Sequence, residues 1–570
     1  MRSLLSPLLL LVPLTTTAHP LRSKITDGVL IDVTDDGLGA LEGLASEFIP
    51  TDFPIDPIEF GDCGSFLATC LYSDDLSPAI TIDQLSLVPG QDTLNLDASL
   101  QATINTSSSP ASLEYKLLGL GETCNIWVDP IQIDISGAIQ MALALDPAGL
   151  DVDGDGTPDT KRFEVTVPPL TWSWDASGDD INITGCTLDV LLDVLSFFGL
   201  DITSLVLDLV EPEIDAIVQD LPAELEPMLE DAVSGFVISE QLDLLGVPMT
   251  ASVWPEDLAI NTNGMRISMA SYIDVEASEC VASYGINESL ITPGAAPTME
   301  HLGGPISDPH VVAMIDDDLV NHLLFAVWSS GLLCFDLADP SLGLDLPIAI
   351  DTTLLTLLSP DGFDHLPLDG APLGLVTVPS KPPVLDMDGP NDVNVVAESL
   401  GLQFTTEIEG RRVRLMNVDL AADIGVDLDY NEATGELGIL VDVGEGAITS
   451  QVTFNEFAPA ASDEIASSLS VLIDGLVAPL LGDLTNMIFP IPAIEGLGLT
   501  SMTIAPAGSD QDFIGAYTTV GQVPFYSAGC DKKGGCDTSG CDQGCSTGNL
   551  PSRLSLLLFP LLVAGLRRRR

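Results

Sequence analysis

Positive charge is what this sequence has least of. Its 570 residues hold 18 Lys and Arg against 85 Asp and Glu, a formal net charge of −67. Ten of the basic residues (Arg2, Arg22, Lys24, Lys532, Lys533, Arg553 and Arg567 to Arg570) lie in the terminal segments, which leaves eight between Thr26 and Ala528. Nucleic acid is held mainly by neutralising its phosphates with Lys and Arg, so a body this poor in both is excluded as a nucleic-acid binder. The same arithmetic speaks against a surface built for anionic lipid headgroups. Enzyme motifs are missing as well: there is no His-Glu-x-x-His, no Walker loop and no Gly-x-Gly-x-x-Gly. The one Gly-x-Ser-x-Gly, Gly544 to Gly548, sits in a cysteine-rich linker with no strand and helix to build a nucleophile elbow. The five histidines (His19, His301, His310, His322, His365) are scattered, and adjacent carboxylates such as Asp316-Asp317 are expected by chance in so acidic a chain. No enzyme is expected. The body also lacks Cys-x-x-Cys, which argues against zinc.

What is present begins at the ends. Arg2, the apolar run Leu4 to Leu14 and Thr16-Thr17-Ala18 have the charge, length and small-residue cleavage site of a secretory signal peptide over residues 1–18. At the other end, residues 529–553 form a linker with Cys530, Cys536, Cys541 and Cys545 among Gly, Asp and Ser. It leads into an apolar stretch and four arginines at 554–570. Leu554 to Leu566 is too short for a comfortable membrane span. The tail resembles myxobacterial-type C-terminal sorting tails, with Cys545 in Gly544-Cys545-Ser546 as the sorting cysteine. That resemblance implies a protein exported from a bacterium and tethered to the cell surface or outer membrane by its C-terminus. Six further cysteines, an even number in an exported chain, point to disulfides. Fifteen connectivities are possible, and pairing nearest neighbours gives Cys63 with Cys70, Cys124 with Cys186 and Cys280 with Cys334.

Hydrophobic residues make up 46% of the chain, enough for a core despite the charge. Apolar and polar residues alternate over 79–88, 93–104, 128–145, 163–174, 265–277, 403–407, 413–428 and 438–452, which predicts strands. Helical spacing occupies 38–48, 188–198, 214–233, 319–333 and 465–487. Asp151-Val152-Asp153-Gly154-Asp155-Gly156-Thr157-Pro158-Asp159 has carboxylates at positions 1, 3, 5 and 9 and Gly at 6, the spacing of a calcium loop. Asp151, Asp153, Asp155 and Asp159 are the predicted ligands and calcium the predicted cofactor. Position 12 is Arg162, where such a loop carries a bidentate Glu. The plain alternative is an acidic hairpin loop. Sequons at Asn105, Asn182 and Asn287 are given little weight beside a bacterial-looking tail.

A strand running into an Asp-capped helix occurs twice, so that Thr34-Asp35-Asp36-Gly37-Leu38 matches Ile315-Asp316-Asp317-Asp318-Leu319. Each copy continues through strands to a long apolar helix. Phe489-Pro490-Ile491-Pro492 and two closing strands follow the second. Over about 28–528 this pattern resembles the bactericidal/permeability-increasing and lipid-transfer (tubular lipid-binding) proteins. The resemblance implies an α+β fold of two tandem modules, each a twisted antiparallel β-barrel wrapped around a long helix, joined by a central sheet into an elongated molecule. The modules would occupy 28–275 and 310–528, with 276–309 as linker and central-sheet region. Acyl chains would lie between helix and sheet against Leu188, Leu191, Leu195, Phe198, Leu469, Ile473, Leu476 and Leu480. Two departures stand out: the first module lacks a basic tip, so endotoxin killing is not carried over, and residues 214–233 lack the family's helix cysteine. The expected function is a secreted, surface-tethered protein that holds or transfers a lipid or other apolar ligand. A calcium-stiffened surface adhesin or structural protein is the alternative, and an extracellular hydrolase a weaker one.

Overall fold

A computed structural model describes residues 24–522 except for 46–56, 65–68, 188–191, 193–210, 231–235, 337–349, 364–369, 474–487, 491–496 and a few shorter stretches. Strand β1 (Ile25–Thr34) runs directly into helix α1 (Asp35–Ala45). Then come β2 (Ile58–Phe60), β3 (Cys70–Ser73), β4 (Pro78–Pro89), β5 (Leu94–Ile104), β6 (Ala111–Leu117), β7 (Leu120–Leu145), β8 (Lys161–Thr166), β9 (Thr171–Trp174) and β10 (Ile181–Thr184). Residues 211–230 are helical wherever described. Next are β11 (Ile238–Leu244), β12 (Val247–Asn261), β13 (Gly264–Val275), α2 (Glu279–Ala282), β14 (Val311–Asp316), α3 (Asp317–Ser329) and α4 (Thr353–Leu358). The chain closes with β15 (Leu373–Pro379), β16 (Val384–Asp386), β17 (Val393–Ile408), β18 (Arg411–Asn431), β19 (Glu436–Asp442), β20 (Ile448–Asn455), β21 (Ile488–Pro490), β22 (Leu497–Ala507) and β23 (Phe513–Gln522).

These strands form three sheets, antiparallel at every described pairing, with few helices among them. Strands β2 to β10 make one sheet around β7, and β15 to β21 make another around β17 and β18. Between them in composition stands a sheet in the order β11-β12-β13-β1-β14-β23-β22, which takes strands from both ends of the chain. Its middle is the contact of β1 with β14, where Ile31 faces Ala313, Leu30 faces Met314 and Asp32 faces Val312. Both strands enter a helix through a side-chain cap. Thr34 Oγ1 accepts from Gly37 N at 3.0 Å, and Asp316 Oδ1 accepts from Asp318 N at 2.8 Å. Asp35 N donates to Asn263 O just before β13, as Asp317 N donates to Asp512 O just before β23. The equivalent cap residues are therefore Thr34 and Asp316, one residue away from the register read in the sequence. Gly37 is required there, because a Cβ would come within 2.0 Å of His310 O.

Two predicted strands are divided. The run 163–174 breaks at Pro168-Pro169, which have no N–H for the ladder, and 438–452 breaks at the turn around Gly444 and Gly446. Strand β12 went unpredicted: Trp254-Pro255-Glu256 interrupts its alternation, and the pairing with β13 shifts register between Pro255 and Asp257. Three disulfides join Cys63 to Cys70, Cys124 to Cys186 and Cys280 to Cys334, the nearest-neighbour set. No described helix is long and apolar enough to cross a membrane.

The main core joins the inward residues of the first sheet (Leu96, Leu100, Ile133, Ile135) to Ile214, Val218 and Leu221 of the helical residues and to Met249, Val253, Ile267 and Met269 of the shared sheet. A second core gathers Phe404, Leu415, Met416 and Val418 with Ile465 and Leu469. On the other face of the shared sheet, Leu30, Val312, Met314, Phe513 and Tyr517 pack together. Asp32, 1% exposed, lies on that face directly across from Arg266. Arg266 donates from Nε to Asp32 Oδ1 at 2.6 Å and from Nη2 to Oδ2 at 2.5 Å, while Nη1 reaches Pro297 O. Truncating one partner of a buried, bidentate ion pair strands the other charge, at a cost of about 3–5 kcal/mol. Arg266→Met should therefore lower unfolding stability by about that much. Asp32→Asn added to it should cost less than the sum of the two single changes, as read from denaturant midpoints with the disulfides intact.

Candidate functional site

A cavity of about 560 Å³ lies where the first sheet, the helical residues 211–230 and the shared sheet meet. Its walls are the β7–β8 loop (Asp146 to Leu150, Thr160), Lys161 to Phe163 of β8, Pro227 and Glu230, and Val237 and Pro255. The helix is fastened along β8 by its own carboxylates. Val165 N donates to Glu230 Oε1 at 3.2 Å and Val167 N donates to Glu226 Oε1 at 2.9 Å. Among the described strands β8 pairs only with β7, so these glutamates satisfy N–H groups that a further strand would otherwise take. Inside, the buried Phe163 ring lies against Phe236 with centroids 6.3 Å apart. At the mouth, Leu150 and Val237 stay 41% and 36% exposed. Lys161 is turned away to Glu256, where its Nζ reaches the backbone O at 2.5 Å and the carboxylate at 3.6 Å. The cavity thus offers apolar walls with polar groups at its rim.

The predicted calcium loop forms part of the same β7–β8 connection. Asp151 Oδ2 accepts from Gly156 N at 2.9 Å, Asp155 Oδ1 from Thr157 N and Oγ1, and Asp159 Oδ2 from Val152 N at 2.8 Å. The Thr157 hydroxyl, and then its N–H, hold the exposed Asp155 carboxyl below its usual value. Three of the four predicted ligands are thus folded inward on the loop's own amides, and Asp153 falls outside the described residues. Leu188, Leu191, Leu195, Phe198, Leu476, Leu480 and Cys545 also fall outside them. Leu469 is buried in the second core, with Ile473 half-buried against it. Neither Leu469 nor Ile473 lines the cavity, whose apolar walls come instead from Phe163, Leu150, Val237 and the prolines. Alternating strands and a Pro-rich helix end do not announce a cavity, so only Phe163 had a sequence signal, as an inward strand position.

A second acidic group was read in the sequence only as a helix cap. One carboxylate oxygen from each of Asp316, Asp317 and Asp318 comes within 4.8 Å of the others at the start of α3. Asp318 Oδ1 accepts from Thr292 N at 2.7 Å, and Asp317 Oδ1 is buried without a hydrogen-bond partner. Burial is the leading cause that pushes the Asp316 carboxyl up to about 8 and the Asp317 carboxyl up to about 6. Repulsion from Asp318 adds to both. Such a cluster can keep a proton, or can offer hard oxygen ligands to a divalent cation.

No family model matches the chain, and no curated protein matches it. Among solved structures, a lipopolysaccharide binding protein superposes with a TM-score of 0.51 at 15% identity, over 88% of this chain and 100% of that one. That likeness establishes a shared fold. P47 of Clostridium botulinum E1 (TM-score 0.27, 8% identity, 87% of this chain and 99% of that one) and P47 from Clostridium botulinum A2 (0.25, 12%, 88% and 97%) add nothing to it.

The acidic cluster sets a pH dependence whose sign is fixed. Folding raises these carboxyls above their ordinary value of 3.8, so their contribution is fully present below about pH 4 and is lost as pH climbs through about 6 and about 8. Asparagine caps a helix as well as aspartate. Asp316→Asn should match the native chain near pH 4 and exceed it near pH 9, by roughly 1–3 kcal/mol, in urea unfolding followed across pH.

Proposed function

We propose that this protein holds or transfers a lipid or other apolar molecule without reaction chemistry, in the cavity bounded by residues 211–230, β8 and the shared sheet. The observation that carries the reading is the cavity's place. An apolar opening of about 560 Å³, ordinary in size for a small-ligand pocket, adjoins the largest core of a fold shared with a protein described as binding lipopolysaccharide. Burying an acyl chain contributes about 0.8 kcal/mol per CH₂, so chain length can set affinity with no charged clamp. In this reading the chain consists of two modules, 28–275 and 310–528, each a twisted sheet around a long helix, and the second core around Leu469 and Ile473 is the counterpart of the first.

Secretion and surface tethering complete the proposal. Three disulfides are what an oxidising compartment outside the cytoplasm permits, and they support an extracellular protein. The signal peptide and the tether through 554–570 are taken from the sequence. Calcium in the Asp151–Asp159 loop would brace the connection that walls the cavity. That connection already carries Val152 onto Trp254 and Tyr272, through carboxylates that accept from the loop's own amides.

Val237→Glu puts a carboxylate at the half-exposed mouth without touching the packed interior. It should weaken uptake of a fluorescent fatty acid at least tenfold while leaving the thermal transition unchanged. Uptake equal to the native chain's, or no uptake by the native chain, would refute the cavity as the binding site.

A further inference from the structure

The cations of this chain are not distributed as its acidity would dictate. Among the described residues, Lys24, Lys116, Lys161, Arg162, Arg266 and Lys381 each lie within ion-pair distance of a carboxylate. Arg411, Arg412 and Arg414 are the described cations that do not. All three are exposed at the turn between β17 and β18, where Glu409 and Gly410 (φ 51° and 75°) make a two-residue hairpin loop closed by the pair Ile408 and Arg411. Glu407 stands directly across from Arg412, yet no ion pair forms.

Two of these guanidiniums are held in place by uncharged neighbours. Arg412 Nε donates to Thr405 Oγ1 at 3.2 Å, and its Nη2 extends over Gly374 of β15, where a Cβ would lie 3.4 Å from it. Arg414 stacks on the Phe454 ring, 4.2 Å from its centroid. Residues two apart on a strand share a face and stand about 7 Å apart. Two forks at that spacing, with their outer N–H groups free, suit the oxygens of one phosphate lying between them.

We propose that the β17–β18 hairpin tip binds phosphate, presented by lipid headgroups. A convex two-strand tip is too small to bury the roughly 800 Å² per partner of an ordinary protein interface, but it can meet a plane of headgroups through point contacts. The acidic bulk of the chain does not forbid this. At physiological salt, charges beyond about 8 Å are largely screened, so the tip feels its own arginines more than the distant carboxylates. The inference does not depend on the cavity, which lies on the first sheet.

The test is co-sedimentation of the whole chain with phosphatidylcholine vesicles, with and without phosphatidylglycerol, at physiological ionic strength. The variants are Arg411→Gln, the triple Arg411→Gln/Arg412→Gln/Arg414→Gln, and Lys381→Gln as a charge control, all with the same C-terminal tail. Affinity for the anionic vesicles should fall about fivefold for the single variant and roughly a hundredfold for the triple, with Lys381→Gln within twofold of the native chain. Competition by millimolar inorganic phosphate would identify phosphate itself as the ligand; its failure beside retained vesicle binding would assign the headgroup in its membrane. The proposal is overturned if the triple variant, folded by circular dichroism, binds as the native chain does. It is also overturned if pure phosphatidylcholine is bound equally well, or if the tip instead drives self-association without vesicles.

Discussion

Strand β1 sits between two neighbours that belong to distant parts of the chain, and the rest of the structure hangs on that insertion. Its residues 29–33 pair on one side with β13 and on the other with β14, so the first strand made closes a sheet whose other strands arrive some hundreds of residues later. One face of β1 sends Val29 into the main core, while the other sends Leu30 beneath Val312 and Met314. Asp32 is the exception on an apolar strand. A lone buried carboxylate there would be prohibitive, and Arg266 across the ladder makes it tolerable while fixing the register of β1 against β13. His301 Nε2 lies 2.9 Å from the same carboxylate, on the segment that crosses the outer face.

That sheet forms the floor on which the cavity is built. The helical residues 211–230 lie over it because Ile214, Val218 and Leu221 face the core at helical spacing, and because Glu226 and Glu230 accept the free N–H groups of β8. What remains is an opening lined by Phe163, Val237, Pro227 and Pro255. Structure and proposed function meet there: Glu230, which fixes the helix to β8, also stands in the pocket wall.

Much of this was legible in the sequence, and the reasons for the rest are physical. Period-two alternation located long strands such as β4, β5, β7, β13 and β18, and the repeated strand-to-helix entry located the two central ones, though cap geometry moved the equivalence by one residue to Thr34 and Asp316. The disulfides followed sequence proximity. Strand β12 stayed hidden because a bulge at Pro255 shifts its phase, and two long runs were divided where prolines or a glycine turn break the ladder. Asp32 and Arg266 could not be paired from sequence, since 234 residues separate them. Averaging charge over the whole chain concealed the one place among the described residues where arginines stand without ion-pair partners. Reading Asp316 to Asp318 as a cap was right for Asp316 but missed that all three carboxylates converge.

The account stands or falls on whether the cavity is occupied when the protein is made. Native mass spectrometry of the protein, purified without detergent and then denatured to release whatever it carries, addresses this directly. An apolar compound in near-stoichiometric amount is the predicted result and would name the ligand. A chain whose native mass equals that of its polypeptide alone, with nothing released on denaturation, would contradict the account.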